Sequence, residues 1–294
     1  MRGLMSNTAL YVLTVLIWGS TWLAIEYQLG VVEPEVSIVY RYLAASVILY
    51  LYCKIKGLSL SFKVKDHYLF VALGLLLFCL NYIFAYRAQE HITSAMAAIA
   101  FSTMLWINII LARVVFGIRT TPRVLSGAFL GIAGIVVLFA PQIEVASLSD
   151  GVFYGSLLAL AGAFSASCGN MVSQAAQKRA LPVVEANTWG MFYGAVLTAI
   201  VAVAGGHEFT FDATFTYISS LAYLALFGSV VAFGAYLTLL GRIGAHKAGY
   251  ATVMFPVVAL ALSLAFEGLE LDVTIVTGTS LVLLGNLLVL KKGA

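Results

Sequence analysis

Ten apolar stretches, each about 20 residues long, fill the sequence almost from end to end. A helix needs about 20 predominantly apolar residues to cross the hydrocarbon core of a bilayer, which is about 30 Å thick. The composition agrees, because 62% of the residues are hydrophobic, only 10% are charged and the mean hydropathy is +1.01. The sequence therefore predicts an all-α membrane protein with little mass outside the bilayer.

The apolar stretches are predicted to be helices rather than barrel strands. Runs such as Val124–Ala140 are continuously apolar, whereas barrel strands would be about ten residues long and alternate in polarity. Pro34, Pro122 and Pro182 each precede a stretch, where a missing N–H does no harm to a helix. The predicted spans are 8–29, 35–53, 68–87, 94–115, 123–140, 151–174, 185–204, 217–240, 246–267 and 273–290.

Lys and Arg residues alternate between the ends of successive spans in a way that predicts orientation. Positive loops stay in the cytoplasm, and 14 of the 16 basic residues fall on one side while 11 of the 13 acids fall on the other. Arg41 and Arg87 are the two exceptions. We therefore expect both termini in the cytoplasm, and residues 1–29 as a retained first helix. The net charge of +3 then reflects topology and indicates no nucleic-acid partner.

The sequence has no motif that indicates catalysis, a metal or a cofactor. Cys53, Cys79 and Cys168 lie in different spans without CxxC spacing. HExxH, paired-Asp and GxSxG motifs are missing, and the four histidines lie in different loops. We therefore predict no catalytic residue, no metal and no cofactor, and we disfavour a membrane-embedded enzyme. A receptor or sensor would be expected to carry a sizeable soluble domain.

A faint internal repeat runs through the chain with a period near 150 residues. Five helices in each half, an odd number, would insert the second half in the opposite orientation. Inverted repeats of this kind are typical of secondary transporters. The sequence thus predicts two inverted five-helix domains, residues 1–145 and 146–294, around a central cavity. The matching places are 93–98 with 246–251, Gly127 and Gly134 with Gly278 and Gly285, and Pro34 with Pro182.

Several further features of the sequence carry a family resemblance. They are Trp18–Trp22, Tyr40–Tyr42, the Ala-rich start of span four, Pro256 and the Gly-spaced spans five and ten. Together they resemble the drug/metabolite transporter superfamily, in its ten-helix EamA-type branch. The resemblance implies a transporter, most similar to bacterial exporters of amino acids, including aromatic ones, that work by alternating access in the cell inner membrane. The predicted partners are then the bilayer and an amino acid, with broad export of neutral drugs or other metabolites as the alternative.

Carboxylates are missing from the middle of the predicted spans. None of the 13 acids lies near a span centre, and Glu26 and Glu267 lie at outer ends. An ionisable group deep in the membrane is costly and usually functional. An uncharged site suits a zwitterion or a neutral amphiphile and argues against strong stoichiometric proton coupling.

Aromatic rings and small polar groups occupy the midplane instead. Residues four apart share a helix face, as do Trp18 and Trp22. Stacked rings would hold an aromatic or thioether side chain and attract an ammonium group. The alternative is an interfacial belt, which is our interpretation of Trp189, Tyr11, Tyr50 and Tyr52. The predicted substrate-binding residues are Trp18, Trp22, Tyr82, Tyr86, Ser102, Trp106, Phe164, Tyr250 and Phe255, with Gln89, Ser165, Asn170 and Met254 beside them.

Three further features each have two interpretations. Pro256, inside span nine, is either a structural kink or a hinge whose freed carbonyl receives an ammonium group, and Thr103 stands at the matching position of span four. Arg41 either snorkels to the outer headgroups or forms a gate pair with Glu26 or Glu90. The glycines of spans five, six, seven and ten favour packing within the chain over a dimer interface, so we predict a monomer.

Overall fold

The computed structural model describes residues 5–145, 150–258 and 273–290, and this part of the chain is helical without a strand. The helical segments overlap the predicted spans in sequence, and residues 259–267 of predicted span nine lie outside the described part. The helices are α1 (Asn7–Glu26), α2 (Pro34–Ile55), α3 (Val64–Gln89), α4 (94–116), α5 (Pro122–Val145), α6 (Asp150–Lys178), α7 (Val183–Ala204), α8 (Phe215–Ile243), α9 (245–258) and α10 (Val273–Leu290).

Seven of these helices are long and apolar enough to cross a membrane, by length and composition. They are α1, α2, α3, α4, α6, α7 and α8. Helices α5 and α10 contain shorter apolar segments, Pro122–Val137 and Val273–Val289. The prediction of an all-helical membrane protein is therefore confirmed.

Local sequence signals explain where several helices begin and end. The hydroxyls of Ser6, Thr93 and Thr214 each accept a hydrogen bond from a backbone N–H three residues later, which satisfies a donor that the first helical turn leaves free. Pro34 stands at the first position of α2. Gly117 ends α4 with φ of +67°, a left-handed conformation that glycine adopts readily.

Glycines bring several helices into backbone contact, as the sequence predicts. A Cβ on Gly127 of α5 would lie 2.7 Å from the carbonyl oxygen of Gly285 in α10. A Cβ on Gly74 of α3 would lie 2.8 Å from the carbonyl oxygen of Gly190 and 2.8 Å from the backbone nitrogen of Gly194, both in α7. Small residues at such crossings let helices approach closely and gain packing contacts.

Two helices contain a π-helical segment near their middle. The segments are Gly74–Leu80 in α3 and Leu224–Val231 in α8, and their first residues lie 150 positions apart (224 minus 74). A π turn breaks the regular hydrogen-bond ladder and frequently marks a functional site. Both segments lie beside the cavity described below.

Helices α4 and α9 are each interrupted. Helix α4 breaks at Thr103, whose hydroxyl donates to its own helix at the Ala100 carbonyl (2.6 Å). Helix α9 breaks at Gly249 and Met254, and the buried Pro256 follows directly. Proline is therefore not required for the interruption, since α4 has none at its break.

Candidate functional site

A small cavity lies where α1, α3, α4, α6, α8 and α9 meet. Its volume is about 60 Å³, less than half of the roughly 150 Å³ cavity that is known to hold benzene. An aromatic side chain can therefore enter only if the helices around it separate. The lining residues are Trp18, Thr21, Trp22, Ile25, Leu77, Asn81, Tyr82, Ala85, Phe101, Met104, Ala166, Asn170, Phe233, Tyr236 and Phe255.

Trp18 stands at the centre of the aromatic wall. Its ring centroid lies 4.7 Å from that of Phe233, 4.9 Å from that of Tyr236 and 5.8 Å from that of Phe255. Tilted and edge-to-face arrangements of this kind are the preferred ones for aromatic pairs. The Trp18 Nε1–H also donates to the Gly228 carbonyl in the π segment of α8 (3.0 Å), which fixes the indole in place.

Two asparagines supply the polar part of the lining. Asn81 Nδ2 donates to the Leu77 carbonyl (3.2 Å), and Asn170 Nδ2 donates to the Tyr236 hydroxyl (3.0 Å). Their Oδ1 atoms are buried and have no hydrogen-bond partner in the described part of the chain. A buried acceptor without a donor is costly. These two oxygens are therefore suited to accept hydrogen bonds from a ligand N–H group.

Four of the predicted binding residues line this cavity. Trp18 and Trp22 lie on one face of α1, Tyr82 faces them from α3, and Phe255 comes from α9. Trp22 makes an edge-to-face contact with Phe101, with ring centroids 5.0 Å apart. Asn170 and Ser165 were predicted to lie beside the binding residues. Asn170 lines the cavity, whereas the Ser165 hydroxyl donates to the Leu76 carbonyl in the π segment of α3 (2.7 Å).

The other predicted binding residues lie elsewhere. Tyr86 is buried and donates to Gln28 Oε1 (2.9 Å), and the buried Ser102 hydroxyl donates to its own helix. Phe164 is 55% exposed and faces away from the interior. The remaining pair belongs to a separate apolar cluster beside α5 and α10, where the hydroxyl of Tyr250 donates to a carbonyl of α5 and Trp106 packs against the same cluster.

Several lining residues were not among the predicted ones. Asn81 carries a detectable signal, because an amide interrupts the apolar run of span three one residue before Tyr82. Phe101, Phe233 and Tyr236 carry none, since their spans contain many apolar and aromatic residues that face lipid or pack against other helices.

The belt interpretation stays a prediction for Tyr50 and Tyr52, which are 46% and 37% exposed. It is wrong for Tyr11, which is 7% exposed. The Tyr11 hydroxyl donates to Asn286 Oδ1 of α10 (3.1 Å), so it has a polar partner within the bundle. Trp189 lies partly exposed against the ring of His67 and donates from Nε1 to the Leu60 carbonyl (3.0 Å).

Arg41 follows neither of its two interpretations. It does not snorkel, because it is fully buried, and within the described residues it forms no ion pair with Glu26 or Glu90. Its Nε–H donates to the Ser229 hydroxyl (2.9 Å), and its Cζ lies 4.5 Å from the centroid of the Tyr82 ring. The guanidinium thus lies directly behind the wall of the cavity.

The ion pairs belong to Arg87 instead. Its Nη2 lies 2.6 Å from Glu35 Oε2 and 3.0 Å from Glu33 Oε2, and its Nη1 lies 3.1 Å from Glu90 Oε1. His207 Nε2 lies 3.5 Å from Arg87 Nη2. We refer to these five residues as the Arg87 cluster, which joins the start of α2 and the end of α3 to the segment between α7 and α8.

The Arg87 cluster also contains a group of the kind that can hold a metal. The ligand atoms of Glu33, Glu35 and His207 lie within 4.8 Å of one another. The sequence does not reveal this group, because His207 lies about 170 residues from Glu33 and Glu35 and meets them only in the fold. Arg87 pairs with both carboxylates, and its single positive charge offsets one of their two negative charges.

Membrane-length helices packed around a buried aromatic cavity define a membrane transporter for small molecules. The chain belongs to the EamA-like transporter family, which it matches over residues 6–140 and again over residues 153–291. The membership predicted from the sequence is therefore confirmed. Members of this family are transporters rather than enzymes.

Curated relatives cover most of the chain. YedA of Escherichia coli (strain K12), named an uncharacterized inner membrane transporter, is 28% identical over 262 residues, 88% of this chain and 82% of that protein. A second protein of the same strain, named "Probable amino-acid metabolite efflux pump", is 25% identical over 262 residues, 86% of this chain and 84% of its own. One crystal structure, 18% identical, shares the fold with a TM-score of 0.78 over 97% of this chain and 96% of that one.

Proposed function

We propose that this protein exports aromatic and other neutral amino acids across the bacterial inner membrane. The cavity carries the proposal, because seven aromatic rings line it and none of its described lining residues is charged. The rings suit an aromatic or thioether side chain. The same ring faces, together with Asn81 Oδ1 and Asn170 Oδ1, suit an ammonium group. The name of the efflux-pump relative supports the same substrate class.

We further propose that residues 1–145 and 146–294 form two inverted five-helix repeats, with ten membrane spans and both termini in the cytoplasm. The family matches the chain twice, which supports the repeat. The two π segments lie in the third helix of each half, and the fourth helix of each half is interrupted. In each half, the first helix packs against the third helix of the other half, since α1 contacts α8 and α6 contacts α3. The alternation of basic and acidic loops supports the orientation.

Alternating access is the mechanism that we propose for this arrangement. The cavity is too small for an aromatic amino acid, so transport requires the surrounding helices to separate. At one end the Arg87 cluster ties three chain segments together. At the other end Gln174 Oε1 accepts from the Ala245 N–H (3.0 Å) and Gln177 Nε2 donates to the Leu237 carbonyl (2.9 Å). Breaking one set at a time would expose the cavity to one side in turn.

A second candidate is export of neutral drugs or other metabolites with broad specificity. The aromatic lining favours it as well, since rings contact any flat apolar molecule. The two candidates differ in whether the ammonium and carboxylate groups of an amino acid improve transport.

Uptake into liposomes that contain the purified protein separates these candidates. We expect labelled Phe, Trp and Met to exchange faster than in empty liposomes, with or without a pH gradient, because the described lining of the cavity contains no carboxylate to carry a proton. Transport of neutral drugs without transport of any amino acid would establish the second candidate. Transport of neither class would contradict both.

A further inference from the structure

Arg41 on α2 is a fully buried cation, and no described acidic residue forms an ion pair with it. In the described part of the chain, no carboxylate oxygen lies within 4 Å of its guanidinium. A guanidinium has five N–H donors. One makes a bond of ordinary length, to Ser229 Oγ at 2.9 Å, while the bonds to the Tyr82 and Tyr86 hydroxyls are both 3.4 Å long. Bonds of that length are weak, so most of the donor capacity is unused.

The neighbouring side chains add donors rather than acceptors. The Gln28 Nε2 group is buried and has no partner in the described part of the chain, and the same is true of the Tyr42 hydroxyl. Gln28 connects to the guanidinium through Tyr86, which donates to Gln28 Oε1 (2.9 Å) and accepts from Arg41 Nη1. A surplus of buried donors is complementary to an anion, whose oxygens only accept. We refer to Arg41, Gln28, Tyr42, Tyr82 and Tyr86 as the Arg41 cluster.

The Arg41 cluster adjoins the central cavity. The Tyr82 ring lines the cavity, and the guanidinium lies over that ring. Thr21 also lines the cavity, and a Cβ on Gly228 would lie 3.1 Å from Thr21 Cγ2 and 3.2 Å from Arg41 Nη2. One phenol ring and the side-chain-free position at Gly228 therefore stand between the cation and the cavity.

We propose that the Arg41 cluster is the carboxylate subsite of the transported amino acid. When the cavity widens, the Tyr82 ring turns aside and the substrate carboxylate accepts hydrogen bonds from the guanidinium. The ammonium group then lies toward the two asparagine oxygens and the aromatic rings. This assignment rests on the proposed function and sharpens it, because it requires an α-carboxylate and disfavours the corresponding amine.

Competition between a substrate and its decarboxylated analogue tests the assignment. In liposomes, unlabelled Phe should inhibit uptake of labelled Phe about 10- to 100-fold better than 2-phenylethylamine does, the range expected for hydrogen bonds between charged groups. Arg41→Gln should reduce this preference to near one, while Arg41→Lys, which keeps the charge without the fork, should retain part of it. Arg113→Gln, at an exposed position of α4, should leave it unchanged.

The preference ratio separates recognition from a purely structural role, since poor folding lowers both affinities together. If Arg41→Gln does not fold, the wild-type protein can still test the subsite. The measurement is then the rise in its unfolding temperature that Phe and 2-phenylethylamine each produce. Equal competition or equal stabilisation by the two compounds in the wild type would overturn the subsite but leave amino-acid export intact. A preference that persists in a folded Arg41→Gln protein would also overturn it. Failure of every amino acid to be transported would overturn the proposed function and the subsite together.

Discussion

At the scale of single residues, Trp18 shows how the cavity obtains a defined shape. Its ring packs against Phe233 and Phe255, and its indole N–H is fixed by the Gly228 carbonyl. Deleting a buried aromatic side chain costs about 3–5 kcal/mol, so truncation to alanine would confuse binding with folding. The informative change is one that keeps a ring and removes only the N–H.

We therefore expect Trp18→Phe to lower the transport of aromatic amino acids about tenfold, because the ring loses its anchor on Gly228. The stability loss should be about 1–3 kcal/mol, the cost of a buried carbonyl left without a donor. Trp189→Phe is the matched control, since Trp189 also donates from Nε1 to a backbone carbonyl but does not line the cavity. The unfolding temperature in detergent should fall for both variants, whereas uptake should fall only for Trp18→Phe. Equal uptake in the two variants would contradict the placement of Trp18.

Helical periodicity predicts which side chains share a face but not which face points inward. It correctly pairs Trp18 with Trp22 because both lie on the cavity side of α1. On α6 it cannot separate Phe164, which is exposed, from Asn170, which is buried six residues later and about 120° around the helix. In a membrane both faces of a helix are apolar, so hydrophobicity does not distinguish lipid from interior.

At the scale of elements, the irregular parts of the helices surround the cavity. The π segments of α3 and α8 and the break of α4 at Thr103 all occur where lining residues are supplied. Helix positions were predictable from hydrophobic length, but these irregularities were not. Thr103 carries no proline signal, and a π turn depends on contacts with neighbouring helices, such as the bond from Ser165 to the Leu76 carbonyl.

Gly74→Ala is expected to destabilise the protein, since the added methyl group would lie 2.8 Å from backbone atoms of α7. Overpacking of this kind costs about 1–3 kcal/mol. Gly234→Ala is the control, because a Cβ there meets no atom within 4 Å, and alanine in a helix is favoured over glycine by about 0.5–1 kcal/mol. Unfolding temperatures of the purified variants should move in opposite directions. An equal fall of the unfolding temperature in both variants would show that backbone contact at Gly74 does not cause the destabilisation.

At the scale of the whole molecule, different chemistry links the helices at the two ends of the bundle. The Arg87 cluster uses charges, whereas Gln174 and Gln177 use neutral amides at the opposite end. One of the two interpretations of Arg41 in the sequence is a gate pair with Glu26 or Glu90, but among the described residues Glu90 pairs with Arg87 instead. Both arginines lie toward the predicted outer side, Arg41 near the start of its span and Arg87 near the end of its span, and only the fold shows that Arg87 reaches the carboxylates at the start of α2.

Arg87→Gln should open the end of the bundle at which the cluster lies. A cysteine placed at Asn81, in a background without native cysteines, should react with a membrane-impermeant thiol reagent up to about fivefold faster from that side, since partly exposed ion pairs contribute about 1 kcal/mol or less. Arg242→Gln, which removes a bond to the Met5 carbonyl elsewhere, is the control and should not change the rate. An unchanged rate in Arg87→Gln would show that the cluster does not hold this end closed.

The hydrogen bonds to the π segments also bear on biogenesis. The Leu76 carbonyl receives its donor from Ser165, and the Gly228 carbonyl receives its donor from Trp18. While the chain is being synthesised, the first 145 residues can insert before Ser165 exists, so the Leu76 carbonyl then lacks the hydrogen bond from the Ser165 hydroxyl. We therefore expect each separately expressed half to lack one hydrogen bond that the other half supplies to its π segment.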